Sequence, residues 1–66
     1  MQTNQLSKRE IEIAQLVATG ASNKEIAYRL CISIKTVNNT LTNVFAKTDT
    51  RSRTALAIQI VTGQWL

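Results

Sequence analysis

Apolar residues come along this chain in four runs of helical period, each introduced by a serine and separated by a few polar or turn-forming residues. In the first run Ile11, Ala14, Leu16, Val17 and Ala18 fall on one stripe at helical spacing. Ahead of it, Ser7-Lys8-Arg9-Glu10 has the form of a capping box, in which the hydroxyl and the carboxylate each accept from a free backbone N–H. Leu6 stands where it can staple onto Ile11, and Gly20 supplies the positive φ that helix ends often require. A second box, Ser22-Asn23-Lys24-Glu25, opens a short run with Ile26, Ala27 and Leu30 on its apolar side. Ser33 caps a third run carrying Ile34, Val37, Leu41, Val44 and Phe45 on one side. This run ends near Lys47 or Thr48, where Asp49 tolerates a left-handed conformation. Ser52 caps a fourth, with Ala55, Leu56, Ala57, Ile58, Ile60 and Val61, stopped near Gly63. The pattern predicts helices near 8–18, 23–30, 34–48 and 53–62. "IQIV" has β-branched character, but its continuity with "TALA" favours helix. With neither an internal repeat nor a linker, residues 1–66 read as one all-α unit.

The break at Cys31-Ile32-Ser33 is short enough to make the second and third helices a helix-turn-helix, whose second helix can enter a DNA major groove. That role demands two opposed faces on one helix. One must be apolar, to sit on the domain; the other must be polar and free of bulk and negative charge. With Ile34, Val37, Leu41, Val44 and Phe45 turned inward, the outward positions are Lys35, Asn38, Asn39, Thr42, Asn43 and Ala46. The third helix holds no acid, although acids would repel phosphate. An asparagine amide can bond an adenine edge through donor and acceptor together, and threonine can bond a base or touch a thymine methyl. The plain alternative is a solvated face on a helix-turn-helix used only for packing.

Charge tilts the balance toward an acidic partner. Eight Lys and Arg stand against four acids in 66 residues, a net charge of +4. Histidine is absent and Cys31 is alone, which removes the commonest general base, a disulfide framework and a four-ligand zinc site. Glu10, Glu12, Glu25 and Asp49 do not cluster along the sequence, so an enzyme is not expected, nor any cofactor or metal. A redox role for Cys31 lacks both a second cysteine and an activating histidine. The opening "MQTNQLSKRE" has no apolar secretory region, and no stretch approaches the ~20 apolar residues that cross a bilayer. A soluble, cytoplasmic chain without membrane contact is the expectation.

The stretches "LSKREIEIAQLVATG", "SNKEIAYRL", "ISIKTV", "NVFAK" and "RSRTALA" run from Leu6 to Ala57 without a gap, and together they resemble the LuxR-type helix-turn-helix domain, also called the GerE or NarL type. The resemblance implies a four-helix domain that binds double-stranded DNA in bacterial transcription regulators, on the nucleoid, with RNA polymerase as a further candidate partner and no small-molecule ligand in this chain. It implies base reading by the residues after "KTV": Asn38, Asn39 and Thr42. Phosphate contacts fall to Lys35, Thr36, Asn43, Lys47, Arg51 and Arg53. Asn23 and Lys24, at the start of the second helix, resemble a further phosphate clamp, which a free helix N-terminus would favour. The family's last helix commonly forms a dimer contact, which would place Ala57, Ile58 and Val61 in a seam and two reading helices on an inverted repeat.

The chain also departs from the family pattern. Thr40 stands where histidine is common, Thr48 where leucine is usual, Asp49 where glycine is common and Ala55 where glutamate is frequent. Thr48 lies on the inward side by spacing, so its hydroxyl needs a partner such as a backbone carbonyl. Ala55, Leu56, Ile58, Ile60 and Val61 are too many apolar positions for one small core. A dimer seam accounts for the surplus; a deeply buried helix or cover by another domain would also do so. Trp65 and Leu66 could pack across the first helix or extend the seam. Tyr28 and Arg29 sit where the second helix could cross a DNA backbone or face solvent. The competing functional class is a helix-turn-helix that pairs with another regulator and modulates it, since Lys35 and Lys47 are the chief cations of the third helix.

Overall fold

The computed structural model describes residues 6–63, which form four helices: α1 (Lys8–Ala18), α2 (Asn23–Leu30), α3 (Ile34–Thr48) and α4 (Arg53–Thr62). Trp65 and Leu66 lie outside the described residues. Each helix starts on a serine. Ser7 Oγ accepts the Glu10 N–H at 3.2 Å and the Ser7 N–H donates to Glu10 Oε1 at 2.8 Å, completing the first box. The Ser22 box closes the same way, at 3.1 and 3.3 Å. Ser33 Oγ accepts the Thr36 N–H at 3.0 Å, and Ser52 Oγ accepts the Ala55 N–H at 3.1 Å. In α3 and α4 the first turn holds no acid, so nothing neutralises the positive end of the helix dipole there.

Helix ends are equally local. Past α1, Gly20 takes φ +92°, its N–H donating to the Val17 carbonyl while Ala21 reaches back to Leu16. This is the paired closure that turns a chain off a helix. Past α2 the same closure forms with Cys31 at φ 57°, and Ile32 donating to the Ala27 carbonyl at 3.0 Å. Asp49 takes φ 55° after α3, the left-handed conformation its position predicts.

Ile13, Ala14 and Val17 of α1 meet Ile26 and Ala27 of α2, Val37, Leu41 and Val44 of α3, and Leu56 of α4, with Leu6 and Ala21 closing the edges. Helix α1 packs on each of the others, and α2 packs also on α3. Ile34 departs from expectation: it is 47% exposed rather than turned inward. It occupies the first position of α3 at the rim of the apolar stripe, one turn before the core begins at Val37. Phe45 is partly buried against the core. Thr48, placed inward by spacing, satisfies its hydroxyl on the Val44 carbonyl at 2.8 Å and on the buried Thr50 at 2.9 Å. No helix among the described residues is long and apolar enough to cross a membrane.

Candidate nucleic-acid interface

Because Val37, Leu41 and Val44 anchor α3 inward, its opposite side must face outward, and Lys35, Thr36, Asn38, Asn39, Thr42, Asn43 and Ala46 are all exposed. The three-residue turn holds α3 against α2, so this polar stripe is presented by a buttressed helix. At its start, Lys35 and Thr36 flank a helix N-terminus without an acid, a combination that favours anions.

The polar residues of this stripe differ in what they have left to offer. Asn23 Nδ2 donates to Asn38 Oδ1 at 2.6 Å. The Thr42 hydroxyl donates to the Asn38 backbone carbonyl at 3.0 Å, leaving its methyl group and lone pairs. The amide of Asn39 makes no hydrogen bond among the described residues, so both its functions remain open. Beside them runs a cleft lined by Asn23, Asn38, Leu41, Thr42, Phe45 and Arg53.

Two of the cations assigned to phosphate are engaged within the fold. Arg53 Nη1 donates to Asn23 Oδ1 at 2.5 Å and Nη2 to the Ala21 carbonyl at 2.6 Å, tying α4 to the start of α2. Lys47 Nζ bonds Glu10 Oε1 at 2.9 Å, joining α3 to α1 across 37 residues of sequence. Glu10 is only 7% exposed, and its carboxyl is held below its ordinary value of 4.5 by the Ser7 backbone N–H first and the Lys47 ammonium second, against the opposing effect of burial. Lys24, Lys35 and Arg51 are exposed. At the start of α2, where Asn23 and Lys24 stand, the Glu25 carboxylate accepts from the Ser22 N–H. A box glutamate at that end offsets the dipole that would attract an anion.

The second exposed feature is apolar. Ile58 is 58% and Val61 75% exposed on α4, and with Ala57 they line an open cleft against Val17, Ala18 and Ala21. Tyr28, on α2, is 86% exposed. The links Asn23–Asn38, Arg53–Asn23 and Glu10–Lys47 were not readable from the sequence. Their partners lie 15, 30 and 37 positions apart, and no local pattern pairs them.

Comparison with known proteins places this geometry in context. The family described as bacterial regulatory proteins, luxR family (GerE), matches residues 4–60. The transcriptional regulatory protein LiaR of Bacillus subtilis is 49% identical over 53 residues, covering 80% of this chain and 25% of LiaR. The oxygen regulatory protein NreC of Staphylococcus haemolyticus is 47% identical over 51 residues, 77% of this chain and 24% of NreC; NreC of Staphylococcus carnosus matches to the same extent. The chain thus spans about a quarter of the length of these relatives.

Proposed function

The chain belongs to the luxR family of bacterial regulatory proteins, and from that membership we propose that it reads double-stranded DNA through α3 in the major groove. One observation carries the reading: an exposed, acid-free polar stripe from Lys35 to Asn43 backed by fully buried apolar anchors. Asn38, Asn39 and Thr42 meet base edges, while Lys35, Thr36, Asn43, Lys24 and Arg51 meet phosphates. Lys47 and Arg53 serve the fold first, through Glu10 and Asn23. The exposed Ile58 and Val61 beside Ala57 support pairing of two copies along α4, which would set two reading helices about one DNA turn apart on an inverted repeat. The setting is the bacterial cytoplasm, with DNA and RNA polymerase as partners and without cofactor or catalysis.

Selection of duplexes from a random pool tests this directly, and wild-type protein should enrich a two-fold symmetric site. Asn39→Ala should then relax preference at one base pair by ~1–3 kcal/mol, whereas Lys35→Ala weakens all duplexes alike and flattens the salt dependence. Ile58→Glu should leave half-site binding and abolish the gain from a second half-site. If no sequence is enriched over bulk DNA at moderate salt, the reading fails. The internal engagement of Lys47 and Arg53, which leaves few free cations near α3, favours a second reading in that event: a helix-turn-helix that pairs with another regulator.

A further inference from the structure

A guanidinium only donates hydrogen bonds, whereas an amide has one accepting and one donating end. Arg53 gives one nitrogen to the Ala21 carbonyl and another to Asn23, so the end of Asn23 that faces α4 must be its oxygen. The other end of Asn23 is therefore its NH2, and it faces α3, where it donates to Asn38. Asn38 must answer with its oxygen. Its own NH2 is left at the end away from Asn23, on an exposed side chain beside Thr42. One donor-only group thus fixes the sense of both amides. An unattached amide such as that of Asn39 can turn half a revolution and present either end.

We propose that Arg53 and Asn23 are positioning residues that polarise Asn38, making it a hydrogen-bond donor toward the base edge it meets. This rests on the reading of α3 as a major-groove helix. The two adjacent asparagines then differ in kind. Asn39 is free for the two-point contact with adenine, and Asn38 seeks an acceptor: O6 or N7 of guanine, O4 of thymine or N7 of adenine, of which guanine alone offers two and no amino group beside them. In a G·C pair the acceptors lie on guanine and the amino group on cytosine, so polarising the amide selects the orientation of that pair; adenine carries both an acceptor and an amino group, so an A·T pair is less strictly oriented. Thr42 does not compete for the same atoms, since its proton is committed to the Asn38 carbonyl.

Duplex selection from a random pool, run on wild type and on Asn38→Ala, locates the base pair that Asn38 reads as the position losing its preference, by roughly tenfold or more. In Asn23→Asp the carboxylate still accepts from Arg53 but can no longer donate to Asn38. Asn38 must then turn its NH2 inward and its oxygen outward, and a preferred G·C at that position should invert to C·G, with an amino group as the new target. Affinity for all duplexes should also fall, because a negative charge has been added near phosphate. Arg53→Ala keeps both amides but removes the donor that orients them, so the two orientations of that pair should become nearly equal. Thermal melting of both variants reports whether the fold is retained. Retention of the wild-type pair in Asn23→Asp and in Arg53→Ala, with only weaker binding, overturns the proposal and leaves both residues as ordinary tethers. A pool in which wild type enriches nothing overturns the DNA reading itself, and the proposal with it.

Discussion

The chain writes the same capping box twice, and the two copies have different fates. Ser7 with Glu10 and Ser22 with Glu25 make identical local bonds, hydroxyl to N–H and carboxylate to N–H. Glu25 remains exposed and its carboxylate does little beyond closing the start of α2. Glu10 is buried at the junction of α1 and α3, where the same oxygen that accepts from Ser7 also accepts from Lys47. The contrast shows that a local motif specifies where a helix begins, while its surroundings decide how much else depends on it. A carboxylate in water loses only a cap when removed; one beneath a lysine also leaves a half-buried ammonium without its partner.

The widest separation should appear in denaturant titrations. Glu10→Ala is expected to lower stability by about 2–3 kcal/mol, a lost cap together with a lost charge-assisted bond, and Glu25→Ala by about 0.5–1 kcal/mol. Equal losses would mean that Lys47 adds nothing to the first box. A narrower expression of the contrast lies in acid. The Glu10 pKa is lowered in the folded state, so its contribution is fully present above the unfolded value near 4.5 and is lost as pH falls through the folded value. Unfolding followed below pH 4.5 should therefore show a steeper loss in wild type than in Glu10→Gln. A coincident acid limb in the two proteins contradicts the assignment.

The C-terminal ends of the same two helices give the smallest effect. Both use a left-handed residue, but α1 ends on Gly20 and α2 on Cys31. A side chain added at Gly20 meets nothing within 4 Å, so Gly20→Ala should cost about 1 kcal/mol from backbone conformation alone. Cys31→Gly relieves that strain while loosening the unfolded chain, for a net gain of about 0.5 kcal/mol. Calorimetric melting of the pair should move in opposite directions; parallel shifts would mean that the two ends are not equivalent closures.

Much of the fold was legible because its signals are local. Serine caps, the glycine and aspartate turns, and apolar stripes at helical spacing each act within one or two turns of backbone. The polar stripe of α3 was legible for the same reason, since fixing Val37, Leu41 and Val44 inward leaves Asn38, Asn39 and Thr42 no other side. Ile34 escaped this logic. Period alone places it among the inward residues, but it sits at the helix tip, where no neighbouring helix covers it. The surplus of apolar residues on α4 was visible in sequence, but which of them stay exposed, Ile58 and Val61, followed only from how α4 lies on α1.

By itself, then, the sequence determined the four helices, their starts and stops, and the uncharged polar face of α3, because these depend on residues a few positions apart along one backbone. Only the tertiary structure decided that Lys47 belongs to Glu10, and that Arg53 reaches through Asn23 to Asn38. Those pairings join side chains on different helices, and a hydrogen bond of 2.5–2.9 Å between them exists only once the shared apolar core has fixed how the helices lie.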